Sequence, residues 1–201
     1  MPHVIRQPGL VAGVRMAVLL ALAHAVNDAL TAVLGALLPT LQARLTASTT
    51  TLAVLVAAFN IRSSLTQPTL GAVADRVGSS RLAAAGVALA AVSLSLIGVA
   101  GTVPLLLILL VLGGIGSAAV HPISTSIVGG PSAPNPGLAV GLFTAGGMAG
   151  FAAGPVLILY LVSEFGTAAI PWLMIPGLAF AAGVLVLLPE WEPHPRSSAT
   201  T

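Results

Sequence analysis

Gly71-Ala72-Val73-Ala74-Asp75-Arg76-Val77-Gly78-Ser79-Ser80-Arg81 is a compact charged stretch between two long apolar ones. Charge is scarce in this chain, with seven basic and five acidic residues, or 6% in all. A short charged turn between two membrane-length segments must hold two helix ends together and fix the side on which they lie. Gly71 and Gly78 allow backbones to turn or approach where a side chain would obstruct. Asp75 can cap a helix N-terminus or pair with an arginine. Arg76 and Arg81 favour the cytoplasmic side.

Composition sets the class. The 201 residues are 57% hydrophobic with a mean hydropathy of +1.06, whereas soluble chains carry about 25% charged residues. The chain is therefore an integral membrane protein. Its apolar runs are unbroken and rich in Ala, Leu, Val and Gly, without strand-like alternation, so they are helices and not the strands of an outer-membrane barrel. The absence of cysteine excludes disulfides and thiolate metal sites. All seven basic residues are arginines spread along the chain, so no nucleic-acid-binding patch forms.

Outward from the charged stretch, six spans are expected at about 11–38, 51–74, 82–100, 104–128, 137–162 and 168–188. Each reaches the roughly 20 residues that cross a bilayer. The first is expected to stop at Pro39, with a polar loop over 40–50. Its start mimics a signal peptide ending at Ala23-His24-Ala25, but the apolar run continues and more spans follow. Gly129 to Gly137 is a Pro/Gly-rich break. Residues 1–10 form a polar lead and 189–201 a Pro-rich tail. Six spans leave both ends on one side. With that side cytoplasmic, Arg6, Arg15, Arg76, Arg81 and Arg196 lie inside and Arg44 outside.

Polar residues within spans are functional candidates, because a charge there costs roughly 2.5–3.5 kcal/mol even on the mildest scale. His24, Asn27 and Asp28 share a face of helix 1. A buried acid there can take up and release a proton, with His24 as relay, or the three can be a static packing cluster. Asn60, Ser63, Ser64 and Gln67 form a stripe on helix 2, facing either a cavity or a packed helix. Arg62 lies about 160° from that stripe, and Asp28 is its expected partner. His121 precedes Pro122, which frees a carbonyl and can kink helix 4. The pair reads either as a binding-site break or as a kink with a hydrogen-bonded histidine. On helix 5, Gly146, Gly150 and Gly154 recur every four residues and leave one side bare for a close crossing. His24 and Asp28 are metal-ligating types at i, i+4, but no third ligand lies nearby in sequence, so no metal and no cofactor are expected. No metalloprotease helix, nucleophile elbow or phosphate-binding Gly-rich loop occurs, and there is no lysine.

The spacing of Gly71, Asp75, Arg76, Gly78 and Arg81 resembles the signature between helices 2 and 3 of the major facilitator superfamily. Gly141, Gly150 and Gly154-Pro155 resemble part of the antiporter motif of drug/proton antiporters, although Ile158 and Leu159 replace its next glycine pair. His24-x-x-Asn27-Asp28, Asn60-x-x-Ser63-Ser64-x-x-Gln67-Pro68, His121-Pro122 and the helix 5 glycines together are similar to the fosmidomycin-resistance branch. The resemblance implies an all-α membrane fold, one six-helix half built from two inverted three-helix repeats. It implies a proton-coupled exporter of small molecules in a bacterial inner membrane, working by alternating access against a second six-helix half. Asp28 would be a cavity acid and His121 a cavity histidine. Leu110 stands where the superfamily often has an arginine, and Ile123 where some members of the branch carry an acid. A non-transporting membrane scaffold is the competing reading.

Overall fold

The computed structural model describes residues 10–77, 79–129 and 135–187. They form six long helices: α1 (Leu10–Leu45), α2 (Thr49–Val77), α3 (Ser79–Leu96), α4 (Val103–Val128), α5 (Pro136–Phe165) and α6 (Met174–Leu187). Short 3₁₀ turns, Ile97–Val99 and Thr167–Leu173, end α3 and precede α6. Among the described residues, α1, α3, α4, α5 and the stretch through α6 are long and apolar enough to cross a membrane, and α2 contributes a shorter apolar run, Thr49–Ile61. Local chemistry sets several boundaries. Thr102 caps α4 by accepting from the Leu105 N–H at 3.3 Å, and Asn135 caps α5 by accepting from Leu138 at 3.1 Å. A proline follows each cap, where its missing N–H costs nothing.

Apart from α3 and α4, consecutive helices touch little. α1 packs chiefly on α5, α2 on α4, and α3 on α4 and α6. Exchanging helices 1–3 for helices 4–6 maps the α1–α5 pair onto the α4–α2 pair. Two interleaved three-helix repeats produce this pattern.

The α1–α5 crossing is made by backbone. A Cβ on Gly154 would stand 2.7 Å from Ala29 Cα, and one on Gly146 or Gly150 would fall on the carbonyl of Ala21 or Ala25. Alanines at four-residue spacing on α1 thus meet glycines at the same spacing on α5. Gly141 takes no part, since a Cβ there would meet open space. Pro155 is half-buried within the continuous α5.

Two expectations change. The first helix does not stop at Pro39 but continues to Leu45, ending where Thr46 adopts φ 46°. Proline removes a single hydrogen bond, whereas the extra turn buries Leu41 and carries Arg44 to the open end of α3. There Arg44 donates to the carbonyls of Ala100 (2.7 Å), Gly98 and Ile97 (3.4 Å) and to Thr167 Oγ1 (3.2 Å). The carbonyl of Ile97 also accepts from the Ala100 N–H at 3.2 Å, and the planar guanidinium has donors enough for all three carbonyls of this helix end. The charged stretch expected as a turn is helical to Val77 and again from Ser79. α4 runs unbroken through Pro122.

Two apolar cores stack along the bundle. One includes Leu37, Leu94, Leu110, Ile158 and Ile170, and the other Leu20, Ile123, Ile127, Phe143 and Val184. On α1 the second core uses Ala17 to Ala23 and the first uses Leu30 to Leu41, so His24, Asn27 and Asp28 fall between them, near mid-helix. Outside, α5 exposes Met148, Phe151, Val156 and Tyr160, an apolar face suited to lipid.

Candidate functional site

Three helices each bring an i, i+4 pair to the layer between the cores: His24 and Asp28 from α1, Ser117 and His121 from α4, Phe143 and Gly147 from α5. The His24 ring stacks on Phe143 with centroids 4.0 Å apart and planes 18° from parallel. Its Nδ1 lies 2.8 Å from the Phe143 carbonyl oxygen. A carbonyl only accepts, so Nδ1 carries the proton and donates it. Gly147 makes room for the ring, since a Cβ there would come within 2.6 Å of Nε2 and 2.7 Å of Nδ1.

Nε2 therefore points to the other side, 3.2 Å from Asp28 Oδ2. It is enclosed, with no hydrogen-bond partner among the described residues. Bare imidazole nitrogen and carboxylate oxygen both present lone pairs. At 3.2 Å they repel unless a cation lies between them, and a shared proton is the simplest one. Asp28 Oδ1 accepts from Asn27 Nδ2 at 3.0 Å and lies 3.9 Å from His121 Nε2. The two imidazoles meet edge to face, with centroids 4.8 Å apart.

Asn27 fixes the carboxylate from behind. It is 1% exposed, and its Nδ2 also lies 3.1 Å from Ser117 Oγ, tying α1 to α4. Access is graded: the side chain of His24 is 8% exposed, that of Asp28 18% and that of His121 33%.

The structure brings together His24, Asn27, Asp28 and His121. Asn60 is exposed on α2 and makes none of the hydrogen bonds of this group. Arg81 is exposed in the first turn of α3. The side chains of Arg62, Ser63, Ser64, Gln67, Gly71, Asp75 and Arg76, and Gly78 as a whole, lie outside the described residues, and with them the expected Arg62–Asp28 pair. Sequence reasoning missed Ser117, Phe143 and Gly147 as parts of the site. The signal was their spacing: Ser117 stands one turn before His121, and Phe143 one turn before a glycine of the α5 stripe.

The family model of the Major Facilitator Superfamily matches residues 20–201. The chain is 27% identical over 172 residues to the "Fosmidomycin resistance protein" of Escherichia coli (strain K12), covering 86% of this chain and 42% of that protein. It is 27% identical over 176 residues to the "Uncharacterized MFS-type transporter YfnC" of Bacillus subtilis (strain 168), covering 87% and 42%. The chain thus spans less than half the length of either relative. Apolar helices in an interleaved bundle, a polar layer at mid-depth and a match over most of the sequence agree: this membrane protein belongs to the Major Facilitator Superfamily of transporters.

Proposed function

We propose that this chain forms one wall of a proton-coupled exporter of small molecules that works by alternating access. The observation that carries the reading is the facing pair His24 Nε2 and Asp28 Oδ2, 3.2 Å apart and nearly enclosed between two apolar cores. Such a pair can share one proton between them, and water or a substrate charge that reaches it competes for that proton. Rocking of one six-helix unit against another supplies that change of exposure. The other wall is a second six-helix unit: another copy of this chain, a separate chain, or a further part of a longer protein to which these residues belong. The resistance named in the Escherichia coli relative supports export of drug-like molecules from the cytoplasm. The arginine distribution supports cytoplasmic ends in a bacterial inner membrane. Asn60, Arg62 and Gln67 are proposed to line the path on the α2 side. Gly71, Asp75, Arg76, Gly78 and Arg81 are proposed to form the conformational hinge.

The test is export by everted membrane vesicles carrying the chain, alone or with a co-expressed second unit, under an imposed pH gradient. The expected result is gradient-driven movement of drug-like cations or anions that Asp28→Asn reduces at least tenfold, with the protein still inserted. Equal export by Asp28→Asn would sink the proton role. No movement in any combination would favour the scaffold reading.

A further inference from the structure

The local sequence offers two metal-ligating side chains, and the fold supplies a third. His24 Nε2, a carboxylate oxygen of Asp28 and a ring nitrogen of His121 all lie within 4.8 Å of one another. We propose that these three residues bind a divalent transition-metal ion of the Zn²⁺ class. This rests on reading the cluster as the proton site.

The geometry is close to that of a metal centre. A tetrahedral ion with ligands at about 2.0–2.1 Å has its ligand atoms about 3.3 Å apart. The His24–Asp28 pair stands at 3.2 Å, already at that spacing. His121 stands 3.9 Å from Asp28 Oδ1, the other oxygen of that carboxylate, and the three ligand atoms lie within 4.8 Å of one another, so the set closes by at most about 1.5 Å to reach the tetrahedral spacing. His121 is a third exposed and has room for such a shift.

The surroundings also match. Metal-binding histidines are held by a hydrogen bond from the far ring nitrogen, and metal-binding carboxylates by donors of their own. Here the Phe143 carbonyl holds His24 Nδ1, and Asn27 Nδ2 holds Asp28 Oδ1. The other His24 ring nitrogen, Nε2, is buried and aimed into the cluster, 3.2 Å from Asp28 Oδ2. Two imidazoles and one carboxylate select a borderline ion over Mg²⁺ or Ca²⁺, which require oxygen ligands. Three protein ligands leave a fourth position for water or a cargo group.

The experiment uses the full 201-residue chain in lipid nanodiscs, with His3→Gln and His194→Gln, so that His24 and His121 are the remaining histidines. Zn²⁺ alone is titrated against a competing chelator while proton release is counted. Co²⁺ is titrated in parallel for its visible absorption. The expected result is one ion per chain, release of about one proton, and an intense tetrahedral-type Co²⁺ band. His121→Gln, at the accessible edge where folding is least at risk, lowers affinity at least tenfold. Asp28→Asn does the same and removes the proton release. Binding that His121→Gln leaves unchanged is an adventitious ion only, and overturns the site, as does no binding below millimolar Zn²⁺. The two readings fail separately. A chain that binds no Zn²⁺ yet loses gradient-driven export in Asp28→Asn keeps the proton site without the metal. A chain that binds Zn²⁺ through all three residues while Asp28→Asn still exports keeps the metal site without the proton role.

Discussion

Replacing Gly147 by alanine adds one carbon to the chain and tests how the site is seated. The new Cβ would stand 2.6 Å from His24 Nε2 and 2.7 Å from Nδ1, where unstrained contact needs about 3.5 Å. The nearest ring atom, Cε1, lies closer still, so relief requires a displacement of roughly 1.1 Å, either of the ring or of α5. α5 cannot retreat cheaply, because Gly146 and Gly150 hold it in backbone contact with Ala21 and Ala25. The ring must move, and moving it strains the 2.8 Å bond to the Phe143 carbonyl and opens the 3.2 Å approach to Asp28. Overpacking costs about 1–3 kcal/mol, and the lost hydrogen bond adds about 1 kcal/mol. Near 3 kcal/mol in a chain of this size corresponds to a fall in Tm of about 10 °C. The assay is thermal unfolding in mild detergent, paired with gradient-driven export from vesicles. Export falls by more than the loss of folded protein accounts for, because the His24–Asp28 pair is pulled apart. A Tm within about 2 °C of the parent, with export intact, would refute the seating of His24 on Gly147.

Further substitutions probe the frame around the site. Arg44→Ala strands the carbonyls of Gly98 and Ala100 and leaves that of Ile97 with only the Ala100 N–H. With water taking part of the load it destabilises by about 2–3 kcal/mol. Arg44→Lys recovers less than half, because an ammonium cannot match the guanidinium fork; denaturant titration measures both. Gly150→Val wedges α1 from α5 and abolishes the folded fraction in detergent, read by size-exclusion chromatography. Gly141→Ala, with open space around it, is neutral or stabilises by up to about 1 kcal/mol through helix propensity. Ser117→Val removes the partner of Asn27 Nδ2, leaves a buried donor half-satisfied and costs about 1–2 kcal/mol, visible as a lower Tm.

The features legible in the sequence were those set by local periodicity. The face of His24, Asn27 and Asp28 and the bare side of Gly146, Gly150 and Gly154 follow from the helical repeat alone. What those faces meet does not. His121 reaches Asp28 because α1 and α4 come together between the two cores, which no local pattern encodes. The stop at Pro39 failed for the same reason. Proline is a weak terminator when the next turn gains tertiary contacts, and those of Leu41 and Arg44 lie on α3 and beyond. The charged stretch from Gly71 to Arg81 was read as a turn because glycines and charges interrupt an apolar run. A membrane helix can carry both at its end, and α2 does so as far as Val77.

As the proposed proton site, His24, Asp28 and His121 are expected to share protons as one unit. Nitrogen NMR of ¹⁵N-histidine-labelled protein in nanodiscs, followed across a pH titration with and without Asp28→Asn, tests this. His24 Nδ1 is expected to remain protonated throughout, held by the Phe143 carbonyl. The Nε2 signals of His24 and His121 should titrate in coupled steps. Asp28→Asn should uncouple them. Two histidines that titrate independently, with curves that Asp28→Asn leaves in place, would contradict it.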